Sequence, residues 1–302
     1  MPDRPAPDAA TVAAARDAAT GAARAADVTV LDVHDRDAAG EAADLFDAAW
    51  GRAREAGRVL PPELLVAMGH AGCQVSVARA GDELAGATAA LVGLHDGEVV
   101  LHSHVTAVPP GTERRGVGRA LKLHQRAWAL ERGITTVRWT FDPLIRRNVA
   151  FNLVALGARV SGWADDLYGP MPDARNAGTP SHRLVAMWDL TERRVQLAAA
   201  GRPHEPDVAA LRGAGAVVAL DVGPDGGPVA VATDAPRRLV RVPEDVEALR
   251  TSDPELAHAW STAVRDTLGT ALLAGARVVG ATRDGWIALA AGAGGGPTEL
   301  AG

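Results

Sequence analysis

The sequence predicts an α+β protein: a mixed, mainly antiparallel sheet flanked by helices, with a smaller α/β region toward the C-terminal end. Three observations carry this. Between residues 28 and 190, runs with strand character alternate with segments of helical period. Two of the connections, Gly81-Asp82 and Asp96-Gly97, are hairpin turns, so three successive strands form an antiparallel meander. A glycine-bearing stretch, Pro109 to Gly118, then leads from the last of these strands into a helix, which makes a crossover.

Taken in order, residues 1–26 are rich in Ala, Asp, Pro and Arg and nearly lack large apolar side chains. Such a segment buries too little surface to offset its ordering entropy, so a disordered or loosely helical tail is expected. Residues 28–33 alternate as a strand. Residues 38–53 place Ala42, Leu45, Phe46, Ala49 and Trp50 at helical spacing, and Pro61-Pro62 opens a second helix over 63–71. The meander strands cover 74–79, 83–94 and 98–108. The following helix covers 119–132 and ends at Gly133, a residue suited to that position. A strand over 135–141 is broken by Asp142-Pro143, and a helix over 145–156 ends at Gly157. Strands over 158–163 and 184–190 bracket a loop with Pro170, Pro172, Gly178 and Pro180.

Beyond residue 191 the character changes to short strands (216–222, 228–233, 238–242), a strong helix over 254–274 and a hairpin around Asp284-Gly285. The expected organisation is a tail at 1–26, a main domain at 27–191, an α/β region at 192–290 and a loose Gly/Ala-rich end at 291–302.

Bulk properties restrict the function. The 302 residues are 47% hydrophobic and 23% charged, as in ordinary globular proteins, and the formal net charge of -6 disfavours a nucleic-acid surface. Cys73 is the single cysteine, which excludes an intrachain disulfide framework and a cysteine-based zinc site. No apolar run has the length of a bilayer span and the first residues lack the pattern of a secretory signal, so a cytoplasmic protein with no membrane partner is expected.

The stretch Pro109-Pro110-Gly111-Thr112-Glu113-Arg114-Arg115-Gly116-Val117-Gly118-Arg119 stands at a strand-to-helix junction. Glycines there let the backbone approach an anion, and the first N–H groups of a helix have no intrahelical partner and carry its positive pole. The stretch therefore reads as a phosphate cradle. Its alternative is an ordinary glycine-rich turn before a surface helix.

The order of elements, and this loop after the fourth strand, resemble the GNAT (Gcn5-related N-acetyltransferase) superfamily over residues 28–190. Gly116 and Gly118 match glycines of that family's pyrophosphate loop, while Arg114 stands where its first glycine normally lies. His102-Ser103-His104, Trp139 through Asn148, Phe151-Asn152-Leu153 and Leu156-Gly157-Ala158 look like one bacterial branch of the superfamily that has a C-terminal extension. Val242 through Val246, Asp253 through Ala257 and Trp260 resemble that extension.

The resemblance implies acetyl-CoA as cosubstrate and transfer of its acetyl group to an amine of a small molecule, by direct attack in a ternary complex, in a monomer or homodimer. A non-catalytic acyl-CoA-binding or regulatory module is the alternative. It implies that Thr106, Ala107 and Val108, at the open edge of the fourth strand, hold the pantetheine arm. Arg114, Arg115, Gly116, Val117, Gly118 and Arg119 would hold the phosphates, with Asn148 and Asn152 nearby. Asn148 also reads as a helix cap. For Arg146 and Arg147 two readings stand: contact with the nucleotide 3′-phosphate or an acidic substrate, or ordinary surface arginines, which most exposed arginines are.

Strand alternation places His102 and His104 on one face. A histidine titrates near neutrality and can take the proton of an attacking ammonium. His104 lies nearer the expected thioester carbonyl and is the preferred base; the alternatives are hydrogen bonding to loops and metal binding. Tyr168, the single tyrosine, is a lid residue acting as general acid or an anchor of its loop. Asp142 is a turn residue or a second group for binding the amine.

Overall fold

The computed structural model describes residues 6–51, 57–112, 116–169 and 179–292. The elements follow in chain order. Helix α1 (Ala9–Ala25) precedes β1 (Thr29–Asp32), α2 (Arg36–Trp50) and α3 (Pro62–His70). The meander is β2 (Gln74–Ala80), β3 (Glu83–His95) and β4 (Glu98–Ala107), followed by α4 (Val117–Glu131) and β5 (Thr136–Phe141). Next come α5 (Arg146–Val149), a π-helical turn (Ala150–Ala155), β6 (Arg159–Ala164), β7 (Arg183–Asp189) and α6 (Arg193–Ala199). The remainder is α7 (Val208–Gly213), β8 (Val217–Val222), β9 (Pro228–Ala230), β10 (Arg237–Arg241) and α8 (Val246–Ser252). Then follow α9 (Pro254–Val264), a second π-helical turn (Arg265–Gly269), α10 (Thr270–Leu273), β11 (Arg277–Ala281) and β12 (Trp286–Ala290).

The chain divides into two compact units, one of Met1–Trp139 with Asp189–Ala200, the other of Thr140–Trp188 with Gly201–Gly302. The domain boundary expected near residue 191 falls inside the segment that returns to the first unit.

In the first unit the strands run side by side in the order β1-β2-β3-β4-β5. The first four are antiparallel, and β5 is parallel to β4, as a helical crossover requires. Asp96 and Gly97, both at positive φ (52° and 81°), close the β3–β4 hairpin as its sequence predicts. One face of the sheet packs Val75, Val77, Ala87, Ala89, Val105 and Ala107 against the apolar sides of α2 and α3. On the other face, Val117 and Leu121 of α4 meet Ala78, Val30 and Ala85. Helix α4 comes so close at Gly86 that a Cβ there would lie 2.9 Å from Val117 Cγ1.

Of the disordered or loosely helical tail expected at the start of the chain, residues 9–25 form a packed helix, α1, which corrects the disordered reading. Its Asp8 cap accepts from the Thr11 amide at 2.7 Å. Ala15, Ala19 and Ala22 are buried, and α1 packs along α4. The expectation counted large side chains. A stripe of alanines at helical spacing instead buries by letting two helix backbones approach closely. Helix α4 is consequently buried along most of its length.

In the second unit, β6 and β7 pair antiparallel. A five-stranded sheet runs β11-β12-β10-β8-β9, with β8 and β10 parallel and the other neighbours antiparallel. Of two single helices expected from the sequence, that over 145–156 ends in a π turn and that over 254–274 is interrupted by one. In the second of these, Gly269 lets the helix lie on Trp163, where a Cβ would sit 2.7 Å from the indole. The short helices α6, α7 and α8 were not foreseen: six or seven residues give too little periodicity to read. Of the loose end expected at 291–302, residues 293–302 lie outside the described residues, as do 170–178 of the proline-rich loop.

Candidate functional site

The candidate site is built around the far half of β4. Its register with β3 shifts between Ala89 and Ala90: Val105 opposes Ala89 and Ser103 opposes Ala90, so His104 is the extra residue of a β-bulge. The bulge changes which way the strand presents its side chains. Ser103 turns toward α4, where Lys122 donates to its hydroxyl at 2.9 Å. Val105 and Ala107 join the core beneath α2 and α3. His104 is exposed and His102 half-buried, with their rings 6.0 Å apart. The two histidines expected together are therefore together, although simple alternation does not continue through the bulge.

Both imidazoles titrate below the usual histidine range. For His104 the cause is desolvation by the atoms packed around the ring, although the residue as a whole is exposed to solvent. For His102 burial acts first, followed by the charges of His104, Arg138 and Lys122. Neutral imidazoles at neutral pH are proton acceptors.

Strands β4 and β5 pair over a short length. Their register comprises Leu101↔Val137 and His102↔Arg138, while β4 itself runs on to Ala107. Beyond His102 the edge of β4 that faces β5 is not part of this ladder. Thr106 is half-buried, its hydroxyl 2.7 Å from that of Thr88 on β3; Ala107 is buried and Val108 half-buried. The backbone then turns through Gly111 (φ 83°) and Gly116 (φ 84°), left-handed conformations that glycine adopts without strain.

Gly116 caps α4 with no side-chain cap bond, and no acidic residue occupies the first turn. The amides of Val117, Gly118 and Arg119 begin the helix, and the chemistry of that donor set suits an anion. Arg114 and Arg115 lie outside the described residues. The side chain of Arg119 departs from expectation: Nη2 donates to Ala198 O at 3.0 Å and to Ala199 O at 2.8 Å, at the C-terminal end of α6. Helix-end carbonyls are a natural partner for a guanidinium, and Nη2 is engaged there.

The other expected site residues belong to the second unit. Asn152 is buried within the π turn, and Asn148 is the third residue of α5. Ile145, not Asn148, caps that helix, so the capping role is corrected. Tyr168 is exposed; its hydroxyl lies 2.9 Å from that of Thr140, and its amide donates to Ser181 Oγ at 2.8 Å, which fixes the loop. Asp142 forms the turn expected of it, accepting from the Leu144 amide at 2.8 Å. Its other oxygen is taken by Arg250 Nη2 at 2.7 Å, with both side chains nearly fully buried, so it does not serve as an amine-binding group. Arg146 and Arg147 pair with Glu244 and Glu247 instead of presenting free charge.

The sequence reading missed a polar seam between α4 and the sheet. Lys122 Nζ also donates to Gln125 Oε1 at 2.8 Å and lies 4.0 Å from the centre of the Trp139 ring. Gln125 donates to Gln74 Oε1 at 2.8 Å. Gln74, Ser76, Thr88 and Ser103 are all buried on the strands. The available signal was a set of polar residues at alternate strand positions, matched by Lys122 and Gln125 at i, i+3 on the helix.

No protein-family model matches the sequence, and no curated protein matches it. Among solved structures, the chain is similar to the ribosomal-protein-S18-alanine N-acetyltransferase of Escherichia coli, at 15% identity and TM-score 0.43, over 55% of this chain and 95% of that one. It is similar to yncA of Salmonella typhimurium, solved with its cofactor acetyl-CoA, at 15% identity and TM-score 0.43, over 55% and 96% of the two chains. It is also similar to an acetyltransferase of the GNAT family from Streptococcus pneumoniae, at 9% identity and TM-score 0.44, over 53% and 98%. The order of elements, from β1 through the meander and α4 to β5, is the order read from the sequence.

Proposed function

We propose that the chain is an acyl-CoA-dependent acyltransferase that moves an acetyl group from acetyl-CoA to an amine of a small molecule. The observation that carries this is the early end of the β4–β5 ladder at His102↔Arg138, followed on β4 by a histidine-bearing bulge and the Gly116 turn into α4. An open strand edge offers backbone groups to the amide-rich pantetheine arm. The α4 amides offer donors to the pyrophosphate.

Acetyl-CoA supplies the thioester. His104 takes the proton that the amine nitrogen loses as its bond to the acetyl carbon forms. The carbon–sulfur bond breaks, and the thiolate leaves with the electron pair to be protonated by solvent. The lowered titration of His104 keeps it in the accepting form at neutral pH. Asn148, Asn152 and Tyr168 enter this reading through the sequence resemblance only.

Two measurements test it. Calorimetry with acetyl-CoA should show binding to the wild type and its loss in Gly116→Glu and Gly118→Glu, which set a carboxylate in the anion cradle; unchanged affinity in both refutes the cofactor assignment. A thiol-release screen over small amines should find turnover that falls about 10²-fold or more in His104→Ala. Tight acetyl-CoA binding with no turnover on any amine would leave a non-catalytic acyl-CoA-binding module.

A further inference from the structure

Arg138 of β5 stands directly beside His102 of β4, at the last step of their ladder. Leu91 of β3 stands opposite His102 on the other side. Cross-strand partners share a face, so Leu91, His102 and Arg138 form one row across three strands. Leu91 lies two residues beyond Ala89, which packs beneath α2 and α3, so the row continues that same face. Here the face is open: Leu91 is 40% exposed, and His102 and Arg138 are half-buried. His104 stands on its bulge with its ring 6.0 Å from that of His102.

The row is basic and has no acid of its own. Among the described residues Arg138 makes no hydrogen bond and no ion pair, unlike Arg119, Arg146 and Arg147. Asp96, in the β3–β4 turn, acts on it through space and is itself paired with His95 at 3.2 Å. Glu98 is opposite His95, four residues back along β4 and roughly 13 Å from His102. Basic side chains set side by side on a sheet destabilise it, and a bound anion reverses that cost.

We propose that Arg138 binds a carboxylate of the acceptor, which makes the acceptor an α-amino acid with an apolar side chain. The guanidinium takes the carboxylate through paired N–H···O bonds, a geometry that its planar fork suits. Leu91 contacts the apolar side chain, and the amine comes to His104. Adjacent strands lie about 4.8 Å apart and His104 is roughly 7 Å along β4 from His102, a span that an arginine side chain and one small zwitterion bridge together. The same basic surroundings disfavour a further ammonium, which favours the neutral, nucleophilic amine. The proposal rests on the acetyl-transfer reading for its reaction, whereas carboxylate binding is measured without it.

The test is a titration of the full chain at fixed pH, with and without acetyl-CoA, following the imidazole NMR signals of His102 and His104. The probes are leucine, methionine and phenylalanine, each beside its primary amide. At least one of the amino acids should move both signals saturably, and its amide should bind at least about tenfold more weakly. Arg138→Met should remove that difference and Arg138→Lys should keep part of it. No saturable shift from any of the three, or equal binding of acid and amide, overturns the proposal. So does a folded Arg138→Met that keeps the preference; should that variant not fold, the wild-type comparison of acid with amide decides. Acetylated product is assayed separately. Carboxylate binding without product sinks the acetyl-transfer reading and leaves the Arg138 site standing, while equal acetylation of acids and amides supports that reading and overturns this one.

Discussion

Two of the buried cations, one in each unit, are held in different ways. In the second unit, Arg250 bonds the carboxylate of Asp142, with side-chain exposures of 3% and 6%. In the first, Lys122 bonds a hydroxyl and an amide oxygen and lies on an indole. A carboxylate partner offsets the desolvation of the guanidinium and ties the turn after β5 to α8. The neutral oxygens of Ser103 and Gln125 offset less of the desolvation of the ammonium than a carboxylate would, and burial brings its titration down to about 7. One buried cation is a tether, the other is adjustable.

The largest effect that would break this comparison is loss of the tether. Arg250→Met leaves the Asp142 carboxylate buried without its partner and should cost about 3–5 kcal/mol, read as a lowered denaturation midpoint. The double variant Asp142→Asn with Arg250→Met should recover much of that loss. A single variant as stable as the wild type would mean that the pair holds nothing together.

Lys122 should behave in the opposite way. Its folded titration point is lowered to about 7 from 10.5, so between those values the unfolded chain binds more protons and rising pH favours the folded state. Below about 7 both states are protonated and the burial penalty is at its full size. The wild type should therefore gain a few kcal/mol between pH 7 and pH 10.5 relative to Lys122→Met, measured by denaturation at each pH. Equal slopes in the two proteins would contradict an ionisable buried amine.

The smallest effect separates structural arginines from cofactor-binding ones. Arg119→Ala loses two bonds to the carbonyls at the end of α6 and should cost roughly 1–2 kcal/mol, while acetyl-CoA affinity stays within about twofold. A tenfold loss of affinity with unchanged stability would return Arg119 to the phosphate site.

Much of the fold was legible because it depends on local signals. Asp96-Gly97 needs positive φ at both turn positions, and the run 83–94 followed by 98–108 fixes a hairpin whatever surrounds it. The Gly116 turn was legible for the same reason. The bulge was not: the extra residue at His104 arises from the register between β3 and β4, which no single segment encodes. Asp142 and Arg250 lie far apart in sequence, so their pairing was invisible, and Asp142 had seemed available for an amine. The alanines of α1 were misread because helix–helix approach depends on a partner as well as on apolar bulk.

By itself, the sequence determined the succession of strands and helices, the hairpin turns and the glycine junction before α4, since these follow from backbone preferences within a few residues. Tertiary structure alone decided which charges are free. It gave Arg119, Arg146, Arg147 and Asp142 to partners in the fold, set His104 out on a bulge and placed Lys122 behind it. Desolvation and pairing are properties of what surrounds a side chain, and that is known only when the chain has folded.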